Sequence, residues 1–134
     1  MAALLDIEGI GETYAAKLKA VGATTQEKLL EMGSTPKGRK ELAEKSGISD
    51  ALILKWVNHI DLSRIKGVAG EYAELLEAAG VDTIPELAQR KAENLHAKMV
   101  EVNTAKKLVR NLPVLTQVAD WVDQAKKLPR VVTY

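Results

Sequence analysis

At 134 residues, with 46% hydrophobic and 28% charged side chains, the chain can form one ordinary domain, or two small halves sharing a core. A net charge of +1 gives the whole chain no argument for a polyanion, the lack of cysteine excludes a disulfide framework and thiolate chemistry, and no apolar run reaches the ~18–20 residues of a membrane span. The start also lacks the basic flank and apolar stretch of a signal peptide, so a cytoplasmic protein with no membrane partner is expected.

Alanine, leucine, lysine and glutamate dominate, phenylalanine is absent, and no stretch sustains a period-two alternation, which predicts an all-α protein. The first helix is expected from about Glu12 to Val21, with Tyr14, Leu18 and Val21 on one stripe and Gly22 as its stop. Thr24 or Thr25 then caps a short helix carrying Leu29 and Leu30. Thr24-x-x-Glu27 has the form of a capping box, while the repeat described below favours Thr25. Ser34-Thr35-Pro36 opens a third helix with proline in its first turn, ended by Gly47, and Ser49 caps a fourth bearing Leu52, Ile53, Trp56, Val57 and Ile60.

In the second half Thr83-x-x-Glu86 is a clearer capping box. A helix around Leu95–Val102 is expected to break at Asn103-Thr104, and another to follow over Leu108, Val109 and Leu112 until Pro113 stops it. The last helix begins near Thr116, carries Val118, Trp121, Val122 and Ala125, and ends before Pro129. Arg130–Tyr134 then remains as a short extended or disordered tail.

One string occurs twice. Ile7–Leu30 and Ile65–Ala88 align without a gap, and 9 of 24 positions are identical, among them Gly9/Gly67, Tyr14/Tyr72, Leu18/Leu76 and Thr25/Thr83. Agreement in both type and spacing marks a tandem duplication. Sliding the register by two pairs Leu52-Ile53 and Trp56 with Leu108-Val109 and Leu112, so the duplication is expected to fill both halves. These are 1–60, then 61–128 with a closing helix, then the tail 129–134. With no low-complexity linker between them, the halves are expected to pack as one compact domain.

The repeated string reads as a glycine-punctuated turn opening directly into a helix, an arrangement able to present backbone N–H groups to a phosphate. Ile7-x-Gly9-Ile10-Gly11-x-x-x-Ala15-x-x-Leu18-x-x-x-Gly22 resembles a helix-hairpin-helix motif. Two such motifs, each followed by a helical pair and then by a closing tryptophan-containing helix, resemble the bacterial domain-of-unknown-function family 4332 over roughly residues 5–128. The family name supplies no activity. The motif implies backbone capture of a phosphate: Gly9 and Gly11 permit the turn, Ile10 plugs into the core, and the amides of Gly9 through Gly11 and of the helix start face outward. Lys17 matches the basic position that commonly assists in nucleic-acid-binding members, with Lys19 near it; Lys66, Gly67 and Val68 are the counterparts in the second copy.

Several residues depart from that pattern. Glu12 lies just after the first glycine turn and would repel a phosphate. The second copy has Ala69, followed by Gly70, in place of Gly11, has Leu75 in place of Lys17, and carries Glu71, Glu74 and Glu77 along the same helix. It reads as structural, or as a surface for a basic protein partner. Tyr14 and Tyr72 are expected to be packing residues. Charge distribution sharpens the point: residues 1–34 hold three basic and five acidic groups and 65–88 hold one and five, against six and four in 35–64 and nine and four in 89–134. The glycine loops sit in the acidic parts.

Arg39-x-x-Leu42-Ala43-x-x-x-Gly47-Ile48-x-x-x-x-Ile53-x-x-Trp56 also has the spacing of a helix-turn-helix. Its second helix would offer a major groove Ser49, Asp50, Ala51, Leu54 and Lys55, of which only Lys55 suits base or phosphate contact, so a plain helix corner is the favoured reading. Lys37, Arg39 and Lys40 form a small cationic cluster, and Lys98, Lys106, Lys107, Arg110, Lys126 and Lys127 a larger set that could gather into a basic face. His59 and His96 read as surface or helix-end residues, and Asp120 and Asp123 as ion-pair partners. No catalytic, cofactor or metal signature stands out, so neither an enzyme nor a small-molecule substrate is expected.

The sequence therefore predicts an all-α protein of two tandem helix-hairpin-helix-containing repeats packed together with a closing C-terminal helix. Its expected function is non-catalytic binding of nucleic-acid backbone without sequence specificity, DNA favoured over RNA, through Gly9, Ile10, Gly11, Lys17, Lys19, Lys66, Gly67 and Val68. The alternative is a protein-interaction or scaffold module in which the hairpins are structural.

Overall fold

The computed structural model describes residues 3–7, 9–68 and 71–134. Within them the chain forms eight α-helices and a 3-10 turn, Leu4–Asp6, and no strand. The helices are α1 (Glu12–Ala20), α2 (Gln26–Met32), α3 (Pro36–Ser46), α4 (Asp50–Leu62), α5 (Glu71–Ala78), α6 (Ile84–Gln89), α7 (Ala92–Lys106) and α8 (Leu115–Lys127). The expected departures at Ala69 and Gly70 lie outside the described residues.

Local chemistry sets four of the helix starts. Thr25, not Thr24, caps α2 by accepting from the Lys28 amide at 3.2 Å, and Thr83 does the same for α6 through Glu86 at 3.2 Å. Thr35 caps α3 through Gly38 at 3.1 Å with Pro36 at the first helical position, and Ser49 accepts from Leu52 at the start of α4. Each such cap contributes about 1 kcal/mol by satisfying an amide that the helix itself cannot.

The chain divides into two units, Met1–Asp61 with Val131–Tyr134, and Leu62–Arg130, each with its own apolar core. In the first, Leu18, Leu29, Ile53 and Trp56 are buried together; in the second, Leu76, Leu87, Val118 and Trp121 are. Trp56 is the seventh residue of α4 and Trp121 the seventh of α8. The buried stripes of those helices match position by position, Ile53/Val118, Trp56/Trp121, Val57/Val122 and Ile60/Ala125. The counterpart of α4 is thus α8, and Trp56 does not pair with Leu112 as the sliding register suggested. Gly9 and Gly67 stand 58 residues apart but Trp56 and Trp121 stand 65 apart, so the second unit has seven residues more between loop and tryptophan.

Those residues enlarge α7 and its exit. The expected break at Asn103-Thr104 does not occur, because α7 runs on to Lys106. Thr104 turns its hydroxyl back to the Val100 carbonyl at 2.9 Å, which a helix accommodates. The helix expected over Leu108–Leu112 is instead an irregular connection, Lys107–Val114. Asn103 organises it by donating from Nδ2 to the Val109 carbonyl (3.1 Å) and accepting from the Val109 amide at Oδ1 (3.0 Å). The Pro113 carbonyl accepts from His96 Nε2 at 3.0 Å, so His96, half-buried, pins this connection. His59 lies near the end of α4 as expected, yet is buried.

Residues 131–134 are not loose. Val132 is buried in the first core, and the Thr133 amide donates to the Ser34 carbonyl at 2.8 Å.

Candidate functional site

The first glycine loop is framed from below by aromatic rings. Ile7 and Ile10 are buried, and the Ile10 amide donates to the Ile7 carbonyl at 3.1 Å, closing the turn. Gly9 has φ +92°, a region that side-chain-bearing residues rarely adopt, and the nearest atom to a Cβ placed there would be the Trp56 indole nitrogen at 3.6 Å. Trp56 stacks obliquely on Tyr14 of α1, with centroids 5.1 Å apart, and the Lys17 ammonium lies over the other part of that assembly, 5.9 Å from the Tyr14 centroid. Trp56 thus lies near Gly9 and packs on Tyr14, whose ring also faces the Lys17 ammonium, and Lys17 and Gly9 are both exposed to solvent.

Gly11 is the N-cap of α1 and offers no side-chain acceptor, so the first-turn amides of a nine-residue helix are left to solvent or a ligand. The outward set of amides is narrower than the motif implies, since that of Ile10 is spent on Ile7. Glu12 occupies the first turn, exposed, and sets a negative charge beside those amides. Lys19 is exposed on the same helix.

The second loop repeats the frame and then closes it. Gly67 has φ +97°, Val68 is buried, and the Val68 amide donates to Ile65 at 3.0 Å. Tyr72 stacks on Trp121 at 5.5 Å, and its hydroxyl reaches the Asn111 carbonyl at 2.8 Å. A Cβ on Gly67 would come within 2.9 Å of the Trp121 indole nitrogen, a tighter fit than at Gly9. The backbone of Lys66 is occupied: its amide donates to Gln124 Oε1 at 2.8 Å, and its carbonyl accepts from Gln124 Nε2 at 3.1 Å. The remaining Nε2 hydrogen goes to Asp120 at 2.8 Å, so Asp120 orients the amide that grips the loop, a role that ion pairing with neighbouring lysines did not suggest. Leu75, at the place of Lys17, is fully buried. Of the residues named from sequence, Lys66 and Gly67 are exposed but the Lys66 backbone is held by Gln124, Val68 is buried, and α5 carries no lysine or arginine.

The smaller cationic cluster loses a member in the structure. Arg39 is 5% exposed and its guanidinium is committed to the carbonyls of Gly33 (2.9 Å) and Thr133 (2.8 Å), which removes it from the cluster with Lys37 and Lys40. Of the larger set, Lys98 lies within α7 and pairs with Glu101 at 3.7 Å, Lys106 ends α7, Lys107 and Arg110 lie in the connection, and Lys126 and Lys127 end α8, all of them exposed. Among the described residues no group of three or more His, Asp or Glu side chains could hold a metal ion, and no helix is long and apolar enough to cross a membrane.

Residues 8–128 match the model of the family described as Domain of unknown function (DUF4332), and the chain belongs to that family. No curated protein and no solved structure matches it.

Proposed function

We propose that each unit is built on a helix-hairpin-helix and that the first of them binds the phosphate backbone of nucleic acid, DNA in preference to RNA, without catalysis and without reading sequence. The observation that carries this reading is the start of α1, which follows an exposed glycine turn and has no side-chain cap, on a helix that also carries the exposed Lys17. A phosphate oxygen there would meet backbone donors, the positive end of the helix and one ammonium group, a combination that positions a duplex but carries no base information. In the second unit the corresponding loop is gripped by Gln124 and the cation is replaced by buried Leu75, which supports a structural role for that copy.

Fluorescence anisotropy of labelled duplexes of unrelated sequence tests the reading. Binding should weaken steeply between about 50 and 200 mM salt, with a logarithmic slope of about −0.9 per phosphate contacted, and be indifferent to sequence. Lys17→Glu should weaken it in a protein that remains helical. Absence of binding at the lower salt would sink the reading and leave the alternative, a protein-interaction module with structural hairpins.

A further inference from the structure

We infer that the first unit contains a binding cleft for an extended peptide of Val–Thr–Tyr chemistry, occupied here by the chain's own residues 132–134 acting as an intramolecular ligand. The internal comparison supplies the argument. Arg39 of α3 is 5% exposed, whereas the buried residues described in Leu62–Arg130 include no charged side chain. The first unit alone buries a guanidinium among the described residues. A buried charge is tolerated only with good acceptors, and here one comes from the unit itself, Gly33, and the other from the segment, the Thr133 carbonyl. The Tyr134 ring adds its face, 5.6 Å from the guanidinium carbon.

A second position repeats the contrast. Asn58 of α4 is 5% exposed and accepts from the Tyr134 hydroxyl at 2.6 Å, whereas its counterpart on α8, Asp123, is exposed. The remaining contacts are those by which a protein takes up an extended strand. Ser34 accepts from the Thr133 amide at 2.8 Å and from its hydroxyl at 3.3 Å, and Val132 fills an apolar site where it is 2% exposed. Backbone bonds hold the segment; the valine site, Arg39 and Asn58 read its side chains. The segment reaches the first unit only after the whole of Leu62–Arg130, so its docking is a closure between distant parts of the chain. In trans, the segment of matching chemistry that the sequence itself supplies is residues 131–134 of a second copy.

The test uses the full chain and a fluorescent synthetic peptide of residues 128–134. Val132→Asp with Tyr134→Ala should release the native segment, leave the helices intact by circular dichroism, and raise the affinity for the peptide at least tenfold over the unaltered chain. Arg39→Leu, which removes the guanidinium and leaves an apolar side chain, should lower that affinity at least tenfold. A helical, released variant that does not take up the peptide would overturn the inference, as would uptake indifferent to Arg39→Leu. Loss of helical structure on release would overturn it too, by showing the segment to be a fixed part of the unit. In the unaltered fold, Arg39→Leu alone should speed exchange of the Thr133 amide at least tenfold, and an unchanged rate counts against the cleft.

Discussion

The two glycine loops start from nearly the same sequence and are treated differently by the residues around them. Each turn is closed by the same short backbone bond, from Ile10 to Ile7 or from Val68 to Ile65, and each rests on a tryptophan stacked on a tyrosine. In the second unit Gln124, steadied by Asp120, then takes both polar groups of the Lys66 backbone, and Leu75 turns the neighbouring helix face into core. In the first, His59 occupies the position that Gln124 holds on α8, and Lys17 stands exposed where Leu75 is buried. A duplicated frame thus keeps its packing in both copies and can change its exposed chemistry in one, because a few positions around the turn decide what the loop shows.

The largest expected effects fall on the shared frame. Trp56→Ala and Trp121→Ala each remove the ring on which a loop rests and should cost about 3–5 kcal/mol in urea denaturation, because a fully buried tryptophan leaves a cavity as well as lost burial. If one of them were nearly silent, the equivalence of α4 and α8 would fail. Next come the glycines. Gly67→Ala should destabilise by about 2–3 kcal/mol, since it adds a strained backbone and a clash with the Trp121 indole at 2.9 Å. Gly9→Ala meets Trp56 only at 3.6 Å, an ordinary contact, and should cost about 1–2 kcal/mol from the backbone alone. Thermal melts of the pair measure the difference, and equal losses would mean that the two tryptophans hold their loops alike.

The parts of this structure legible in the sequence are those fixed by neighbours. Thr25, Thr35 and Thr83 cap helices through amides three residues on, and the spacing alone locates them. The repeat likewise exposed both loops and both tyrosines. What escaped was carried by distant partners or by an altered register. Trp121 lies in the last helix as its pattern predicts, but its equivalence to Trp56 is hidden because the longer α7 and its connection shift it seven residues out of the loop register. Arg39 looked like a surface cation because its acceptor on Thr133 lies 94 residues away. Gln124 offered no signal, its partner being the backbone of a residue 58 positions earlier. Asn103-Thr104 looked like a helix break because both residues favour local bonds to backbone, and those bonds form without ending the helix.

Gln124→Ala separates packing from chemistry in the second loop. Two hydrogen bonds to Lys66 disappear at a partly exposed site, so stability should fall by about 1–2 kcal/mol. If the hold of Gln124 on the Lys66 backbone is what keeps the second loop from a phosphate, this variant should also gain weak, salt-sensitive affinity for duplex; no gain would assign the difference between the loops to Lys17 instead.

The smallest effect is the most direct test of the first loop. Glu12 stands in the first turn of α1, where a negative charge favours the helix through its dipole and opposes an incoming phosphate through the same position. Glu12→Gln should therefore act with opposite signs on folding and binding. Stability should drop by a few tenths of a kcal/mol, up to about 1, and duplex affinity should rise by roughly two- to fivefold at low salt, the same range of energy transferred to the ligand. Lys17→Glu should move affinity the other way and flatten the salt slope by about one phosphate. Were both substitutions to leave anisotropy unchanged while Gly9→Ala still destabilised the fold, the first loop would be a packing device, and the proposed phosphate binding would fall.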